Sequence, residues 1–264
     1  MAYKAVIMDV DGTLVNSQQH RVSMATVNAV QKLQSMGVIA VIASGRSGFA
    51  VSPKMLSGIE PDYCVCVNGA LVVDKNGYPI YKDYLDHRLI DVLTRFCEEG
   101  GYCLSFSFED AYYTYVKYQA FHDYYYSNTG DCTYIRNGED HSRHLKSMPF
   151  GAFACLPDEA AAEFCRSYPE LQFIPFESGA YDVCKAVTNK ATGIEHLLEA
   201  IGIGWDEVVA IGDGYNDIQM LKAAGVGIAM GGAPEDVKAA AGIVTKTVAE
   251  DGVACALNAV FRLA

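Results

Sequence analysis

Residues 5–14 read AVIMDVDGTL, an apolar run of strand length followed by two aspartates, a glycine and a threonine. Because side chains alternate between the two faces of a strand, Asp9 and Asp11 are predicted to share one side. In an open α/β sheet, ligands bind in the crevice at the carboxyl ends of the strands. Two carboxylates there repel each other unless a cation or a shared proton is present. The stretch predicts a hard divalent cation, and Mg²⁺ suits a site that also binds phosphate. The alternative is a strand that ends in a solvated acidic turn.

Three further apolar runs of strand length end in short polar sequences. These are residues 38–43 before Ser44-Gly45-Arg46, residues 63–67 before an Asn-Gly pair, and residues 208–211 before GDGYND at 212–217. Continuous apolar runs are typical of parallel strands that are covered on both faces. Helical spacing of apolar residues between the runs indicates strands that alternate with helices. The pattern predicts an α/β fold with a doubly wound, mainly parallel sheet and a site along one edge.

The pattern of the sequence changes at about residue 84. Residues 89–97 show helical spacing of apolar side chains, and residues 112–126 are crowded with tyrosine. Residues 150–156 and 171–176 are typical of strands, with a short helix predicted over 158–168 between them. The parallel pattern returns at Lys190. The chain is therefore predicted to build its core from both ends, around an inserted α+β unit with boundaries near Asp83 and Val187.

Composition excludes several classes of partner. The net charge of −12 and a pI near 4.9 argue against nucleic acid and against an anionic membrane surface, since both attract a basic surface. No apolar run is long enough to span a membrane, and the first residues show no secretory signal. The nine cysteines include no Cys-x-x-Cys pair. Reduced thiols in a cytoplasmic protein are the expectation.

The polar clusters contain four aspartates, a serine and a lysine. Carboxylates bind a hard cation, whereas serine and lysine bind oxyanions. This set favours phosphoryl transfer, in which positioning and charge neutralisation supply most of the catalysis. The sequence has neither a Gly-x-Ser-x-Gly elbow nor a Walker P-loop, which argues against a serine hydrolase and a P-loop nucleotide enzyme.

Four motifs in order resemble the haloacid dehalogenase-like phosphatases, specifically the Cof-type group with a late-inserted α/β cap. They are Asp9-Val10-Asp11-Gly12-Thr13, Ser44-Gly45-Arg46, Lys190, and Gly212-Asp213 with Asn216-Asp217. The resemblance implies a Rossmann-like catalytic core at residues 1–83 and 187–264 and a cap that sets substrate specificity at residues 84–186. It covers the two core segments well and the insert only by position and size.

The resemblance also implies roles for individual residues. Asp9 is the expected nucleophile that forms an aspartyl phosphate, and Asp11 is the expected acid and base. Ser44 and Lys190 are expected to hold phosphoryl oxygens. The implied Mg²⁺ ligands are Asp9, Asp213 and the backbone carbonyl of Asp11, with Asp217 orienting either the metal shell or Lys190. Gly45, Arg46 and Asn216 are candidates for substrate binding, although Arg46 could equally pair within the protein and Asn216 could stabilise a turn.

The predicted function is a Mg²⁺-dependent phosphatase that acts on a small cytoplasmic phosphate monoester such as a sugar phosphate. Two alternatives remain open. A phosphosugar mutase uses the same aspartyl phosphate, and a non-catalytic protein could bind a phosphorylated metabolite. The expected partner is a small phosphorylated metabolite, with no nucleic acid and no membrane, and the protein is expected to be a monomer or a weak homodimer.

Overall fold

A computed structural model describes residues 3–15 and 21–263. The strands are β1 (Ala5–Met8), β2 (Ile39–Ala43), β3 (Tyr63–Cys66), β4 (Leu71–Asp74), β5 (Pro79–Lys82), β6 (Cys103–Ser107), β7 (Tyr112–Val116), β8 (Ile135–Asn137), β9 (Gly151–Cys155), β10 (Leu171–Glu177), β11 (Ala180–Lys185), β12 (Val208–Gly212), β13 (Val226–Ala229) and β14 (Ile243–Val244). The α-helices are α1 (Met24–Ser35), α2 (His87–Gly100), α3 (Tyr118–Thr129), α4 (Asp158–Ser167), α5 (Lys190–Ile201), α6 (Ile218–Ala223), α7 (Glu235–Ala240) and α8 (Gly252–Phe261).

The chain forms two compact units. The first unit consists of Met1–Arg46, Val51–Tyr81 and Asn189–Ala264. The second unit consists of Ser47–Ala50 and Lys82–Thr188. Each unit has its own sheet and its own apolar core, as expected of regions that bury their hydrophobic surface separately.

The first unit is built on an eight-stranded sheet in the order β14-β13-β12-β1-β2-β3-β4-β5. β1 lies between β12 and β2 and is parallel to both, with Ala5 opposite Val208 on one side and Ile39 on the other. All four residues of β1 are fully buried, because helices cover both faces of the sheet. Residues of α1 and α8 pack on one face, and residues of α5, α6 and α7 pack on the other. The predicted α/β fold class is confirmed.

Two helices of the first unit begin at side-chain caps. Ser23 accepts a hydrogen bond from the backbone N–H of Thr26 and is the N-cap of α1. Asn189 accepts a hydrogen bond from the N–H of Thr192 at 3.1 Å, and the Thr192 hydroxyl accepts one from the N–H of Asn189 at 3.0 Å. This reciprocal pair is a capping box. It fixes the start of α5, whose first residue is Lys190.

The second unit contains a six-stranded sheet in the order β10-β11-β9-β6-β7-β8. Apolar residues of α2 and α4 pack on one face of this sheet, and Phe121 of α3 packs on the other. The predicted helices over 89–97 and 158–168 correspond to α2 and α4. The predicted strands over 150–156 and 171–176 correspond to β9 and β10, so these four elements are confirmed.

The first sheet extends further than the sequence indicated. After β3, a short 3-10 turn reverses the chain and β4 runs antiparallel to β3, with Val65 opposite Val72. β5 then forms the edge of the sheet, and Pro79 and Ile80 in its first half are exposed. Among the described helices, none combines the length and the apolar composition that crossing a membrane requires.

Candidate active site

The sheet order of the first unit brings the predicted polar clusters to one edge. β12, β1, β2 and β3 are neighbours and run parallel, so their carboxyl ends lie side by side. Asp213, Asp9 and Ser44 follow the first three of these strands directly. The N–H of Asp9 donates to the carbonyl of Ile211 at 3.0 Å, which continues the strand pairing up to the first candidate residue.

A buried lysine lies between two aspartates of this edge. The Lys190 Nζ donates to Asp9 Oδ1 at 2.5 Å and to Asp217 Oδ1 at 2.6 Å. The side chains of Lys190 and Asp217 are 1% exposed and that of Asp9 is 8% exposed. Removal of the Lys190 charge would leave two buried carboxylates without their cation, which would lower the stability of the protein. The sequence separation between Lys190 and Asp9 shows that the fold itself creates this contact.

The charges in this group shift one another's protonation. Burial raises the pKa of Asp9 well above its usual range, although the adjacent Lys190 acts in the opposite direction. Burial alone would lower the pKa of Lys190, but the charges of Asp217 and Asp9 outweigh that effect and raise it. Lys190 is therefore a permanent positive charge at the carboxyl end of β1.

Asp213 completes a group of three carboxylates. One ligand atom from each of Asp9, Asp213 and Asp217 can be chosen so that all lie within 4.8 Å of one another. The Thr13 hydroxyl donates to Asp213 Oδ1 at 2.6 Å. Burial raises the pKa of Asp213 to about 6, against the opposing effects of Thr13 and Lys190.

The donor set of this group fits a hard divalent cation. Three carboxylates and one ammonium leave two negative charges when all are ionised, and their oxygens are the ligands that Mg²⁺ prefers. Burial is the main cause of the raised pKa values of Asp9 and Asp213, and neighbouring carboxylates add to it, so additional positive charge beside them would favour their ionised forms. A divalent cation would supply that charge.

Glycines allow the backbone to approach these carboxylates. Gly12 has a φ of +87°, and a Cβ atom there would lie 2.1 Å from Asp213 Oδ2. At Gly212, a Cβ atom would lie 2.5 Å from Asp217 Cγ. Any side chain at either position would collide with a carboxylate of the group, so both glycines are needed for its geometry.

The turn after β12 is held by Asp217. Its Oδ2 accepts hydrogen bonds from the N–H groups of Asp213 and Gly214 at 2.9 and 2.8 Å, while its Oδ1 accepts from Lys190. Both oxygens of Asp217 are therefore engaged by the protein. Of the two roles expected for this residue, these contacts favour the orientation of Lys190 and of the Asp213 turn.

Ser44 is buried at the end of β2, and its Oγ accepts the N–H of Arg46 at 3.1 Å. Its own O–H can still be donated to another acceptor. The half-buried Gly45 separates the two residues.

Asn216 Nδ2 donates to Asn68 Oδ1 at 2.9 Å, which joins the turn after β12 to the turn after β3.

Asp11 differs from the other candidate aspartates. Its side chain is 53% exposed and forms an ion pair with Arg46, with Nε–Oδ2 at 2.6 Å and Nη2–Oδ1 at 2.8 Å. The Asp11 carboxylate is not part of the group that contains Asp9, Asp213 and Asp217. Of the two roles that the sequence left open for Arg46, the structure shows the pairing within the protein.

Several contacts at this edge were not predicted. The N–H groups that donate to Asp217 belong to the backbone. Every residue type except proline has such a group, so the sequence does not predict these hydrogen bonds. The hydrogen bond between Thr13 and Asp213 spans 200 positions of the chain, and only the parallel arrangement of β1 and β12 brings these residues together. The Asp-Gly-Thr and Gly-Asp-Gly sequences were the available signals.

Comparison with known proteins agrees with this architecture. The sequence model of the haloacid dehalogenase-like hydrolase family matches residues 6–257. A relative in Bacillus subtilis, the putative phosphatase YkrA, is 31% identical over 258 residues, which cover 98% of each chain. The solved structure described as the HAD subclass IIB sugar phosphatase BT4131 is 29% identical, with a TM-score of 0.87, and the match covers 98% of this chain and 100% of that one. The phosphatase BT1666 from Bacteroides thetaiotaomicron is 26% identical with a TM-score of 0.88, and the match covers 99% of this chain and 96% of that one.

The chain therefore belongs to the haloacid dehalogenase-like hydrolases, and it is an enzyme of the phosphatase type. This confirms the resemblance on which the roles of the individual residues were based.

Proposed function

We propose that this phosphatase hydrolyses a small phosphate monoester, a sugar phosphate or a similar metabolite, through an aspartyl phosphate on Asp9 and with Mg²⁺ as cofactor. The observation that carries the proposal is the buried Lys190 ammonium between Asp9 and Asp217, with Asp213 beside them. A carboxylate that approaches a phosphate dianion meets like charge, so positive charge must already be in place. Lys190 supplies part of it at Asp9 itself.

In the proposed reaction, an Asp9 oxygen attacks phosphorus while the bond to the leaving oxygen breaks. Asp11 gives its proton to that oxygen. Water then attacks the aspartyl phosphate and loses a proton to Asp11, which frees phosphate and restores Asp9. Lys190 and the Ser44 hydroxyl bind phosphoryl oxygens during both steps, and Asp217 keeps Lys190 in place. Gly45, Arg46 and Asn216 are proposed to border the substrate.

The proposed ligands of Mg²⁺ are the carboxylates of Asp9 and Asp213 and the backbone carbonyl of Asp11. Bound Mg²⁺ supplies positive charge that neutralises the phosphoryl group and orients it. The Thr13 hydroxyl holds one oxygen of Asp213 and so leaves a defined face of that carboxylate for the metal. Such a partner of a ligand tunes its orientation and basicity.

The assignment of the substrate class rests on the solved neighbour that is described as a sugar phosphatase. The proposed division is a catalytic core at 1–83 and 187–264 and a specificity cap at 84–186. We further propose a cytoplasmic location and a monomer or weak homodimer. All nine cysteines are free thiols, which supports a reducing compartment.

The test is phosphate release from a panel of phosphorylated metabolites, with Mg²⁺ or with a chelator. Wild type should release phosphate only with Mg²⁺, and Asp9→Asn should abolish release. Asp236→Asn is the matched control because Asp236 is an exposed carboxylate of α7, and it should behave as wild type. Activity that survives in Asp9→Asn, or in chelator, would contradict the mechanism. Formation of an isomeric sugar phosphate would instead favour the mutase, and ligand-induced stabilisation without release would favour a sensor.

A further inference from the structure

The ion pair between Asp11 and Arg46 joins the two loops that follow β1 and β2. Both guanidinium contacts are short, with Nε–Oδ2 at 2.6 Å and Nη2–Oδ1 at 2.8 Å. Each oxygen of the carboxylate therefore has its own N–H partner. A planar guanidinium fork of this kind fixes the plane and direction of a carboxylate as well as its charge.

The backbone of Arg46 is held on both sides. Its N–H donates to Ser44 Oγ at 3.1 Å, and its carbonyl accepts the N–H of Val67 at 3.0 Å. The loop around Asp11 is closed in a similar way, because the N–H of Gly12 donates to the carbonyl of Val15 at 2.8 Å. The guanidinium therefore connects two anchored segments, and its direction is set by the fold.

Stability does not explain this arrangement. The two side chains are 29% and 53% exposed, and ion pairs with such exposure contribute about 0–1 kcal/mol. Orientation is the larger effect, because a half-exposed aspartate otherwise samples several rotamers. A carboxylate has about four lone-pair sites. The Arg46 guanidinium occupies one lone-pair site on each oxygen of Asp11 and leaves the other sites available for proton exchange.

We propose that Arg46 is a positioning residue that holds the Asp11 carboxylate in the orientation from which it exchanges protons with the leaving oxygen and with water. The inference rests on the proposed function, in which Asp11 is the acid and base. It gives Arg46 a role that does not require contact with the substrate. Loss of the guanidinium should therefore impair the steps that need Asp11 more than the steps that do not.

Leaving groups distinguish these steps. The p-nitrophenolate anion leaves without a proton, whereas an alcohol leaves only when its oxygen is protonated. The experiment compares kcat/KM for p-nitrophenyl phosphate with kcat/KM for the alkyl monoester of an uncharged alcohol that wild type hydrolyses fastest. Arg46→Met should lower the alkyl value about 100-fold, since acid–base catalysis contributes roughly 10²–10⁴-fold. It should lower the aryl value several-fold at most.

The second step supplies an independent readout. Hydrolysis of the aspartyl phosphate needs Asp11 as the base with either substrate. With p-nitrophenyl phosphate, Arg46→Met should therefore lower kcat and KM together and show a burst of p-nitrophenolate of about one equivalent of enzyme. Arg46→Lys should recover part of the alkyl activity, since lysine keeps the charge but not the fork. Asp11→Asn combined with Arg46→Met should be no slower on the alkyl substrate than Asp11→Asn alone.

Arg88→Met is the matched control, because Arg88 pairs with the exposed Glu170 at 2.6 Å in the second unit. It should keep the wild-type ratio of aryl to alkyl kcat/KM. Equal losses on both substrates in Arg46→Met would overturn the inference and leave the proposed function standing. An increase in KM with unchanged kcat, seen only for substrates with anionic leaving groups, would also overturn it. That result would show that Arg46 binds the substrate. Absence of phosphate release by wild type would overturn the proposed function itself.

Discussion

Asp213 is one of two carboxyl groups of the site, with Asp9, whose pKa lies above its usual range. Burial raises the pKa of Asp213 from 3.8 to about 6. Because the folded-state pKa is above the unfolded value, ionisation of Asp213 reduces the stability of the metal-free protein as pH rises from about 4 to 6. A metal ligand must be deprotonated, so the proposed ligation of Mg²⁺ by Asp213 implies that protons and Mg²⁺ compete for this carboxylate.

We therefore expect the rise in Tm caused by Mg²⁺ to be small at about pH 5 and large at about pH 7.5. The measurement is thermal unfolding with and without Mg²⁺ across this range. The pH at which the Mg²⁺-induced rise in Tm is half its maximum is the midpoint. In Thr13→Val this midpoint should move to higher pH, because the Thr13 hydrogen bond lowers the pKa of Asp213. Thr26→Val, at a buried threonine of α1, should leave the midpoint in place. An Mg²⁺ effect that does not vary with pH would contradict this competition.

At the level of single residues, the sequence predicted that Asp9, Asp213, Asp217 and Lys190 meet, but it also placed the Asp11 carboxylate beside Asp9, whereas that carboxylate pairs with Arg46. Asp9 was expected at the end of a strand and Lys190 at the start of a helix. In the fold, Lys190 Nζ lies 2.5 Å from Asp9 Oδ1. The fork between Arg46 and Asp11 depends on side-chain torsions that no motif specifies. The same holds for the hydrogen bonds to both oxygens of Asp217, which come from Lys190 and from two backbone N–H groups.

The capping box of α5 links helix stability to the site. Asn189→Ala removes the acceptor for the Thr192 N–H and should destabilise the protein by about 1 kcal/mol. Because Lys190 is the next residue, we also expect kcat to fall by about 10-fold or more, in line with the sensitivity of turnover to small displacements. Urea unfolding and steady-state kinetics give the two values.

Ser23→Ala is the control for this prediction. Ser23 caps α1 through the N–H of Thr26 at 3.2 Å, so its replacement should cost similar stability without the loss in kcat. If both variants lost turnover to the same extent, the effect would come from general destabilisation and not from the position of Lys190.

A buried hydroxyl in α2 offers a test of packing in the second unit. Within the described residues, Thr94 Oγ1 has no hydrogen-bond partner, and a buried unpaired polar group costs about 1–3 kcal/mol. Thr94→Val should therefore raise stability, by about 1 kcal/mol in urea unfolding. Thr114→Val is the matched variant, because the equally buried Thr114 donates to Ser105 Oγ at 3.2 Å, and it should lower stability. A loss of stability in both variants would show that the Thr94 hydroxyl has a partner in solution.

Elements buried on both faces were the most predictable. Continuous apolar runs predicted β1, β2 and β12, because burial under helices on both sides selects apolar residues throughout the strand. β4 and β5 were not predicted, since β5 is an edge strand whose first residues are exposed and β4 has an apolar run of only three residues, 71–73. The available signal was the Asn76-Gly77 pair between them, which is typical of a tight hairpin turn. Edge strands carry a weaker apolar pattern because only one side of their surface is covered.

The organisation of the molecule into two units has consequences for how a ligand affects it. Asp9, Asp213, Asp217 and Lys190 all belong to the first unit, which is assembled from segments on both sides of the insert. A ligand that binds only the folded site stabilises the part of the protein whose unfolding releases it. The stabilisation is about 2.7 kcal/mol when the ligand is present at 100 times its Kd. The second unit has a separate apolar core, so its own unfolding need not release that ligand.

We expect Mg²⁺ with inorganic phosphate to slow amide hydrogen exchange selectively in the first unit. Exchange in β1 and β12 should slow by up to about 100-fold at saturating ligand, because those amides exchange only when the site is lost. Exchange in β6 and β9 of the second unit should change by less than about threefold. Mass spectrometry of the full chain with and without ligand measures both, and Asp213→Asn should remove the effect in β1 and β12. Equal slowing in all four strands would show instead that the two units unfold as one cooperative body, so that binding in the first unit stabilises the second.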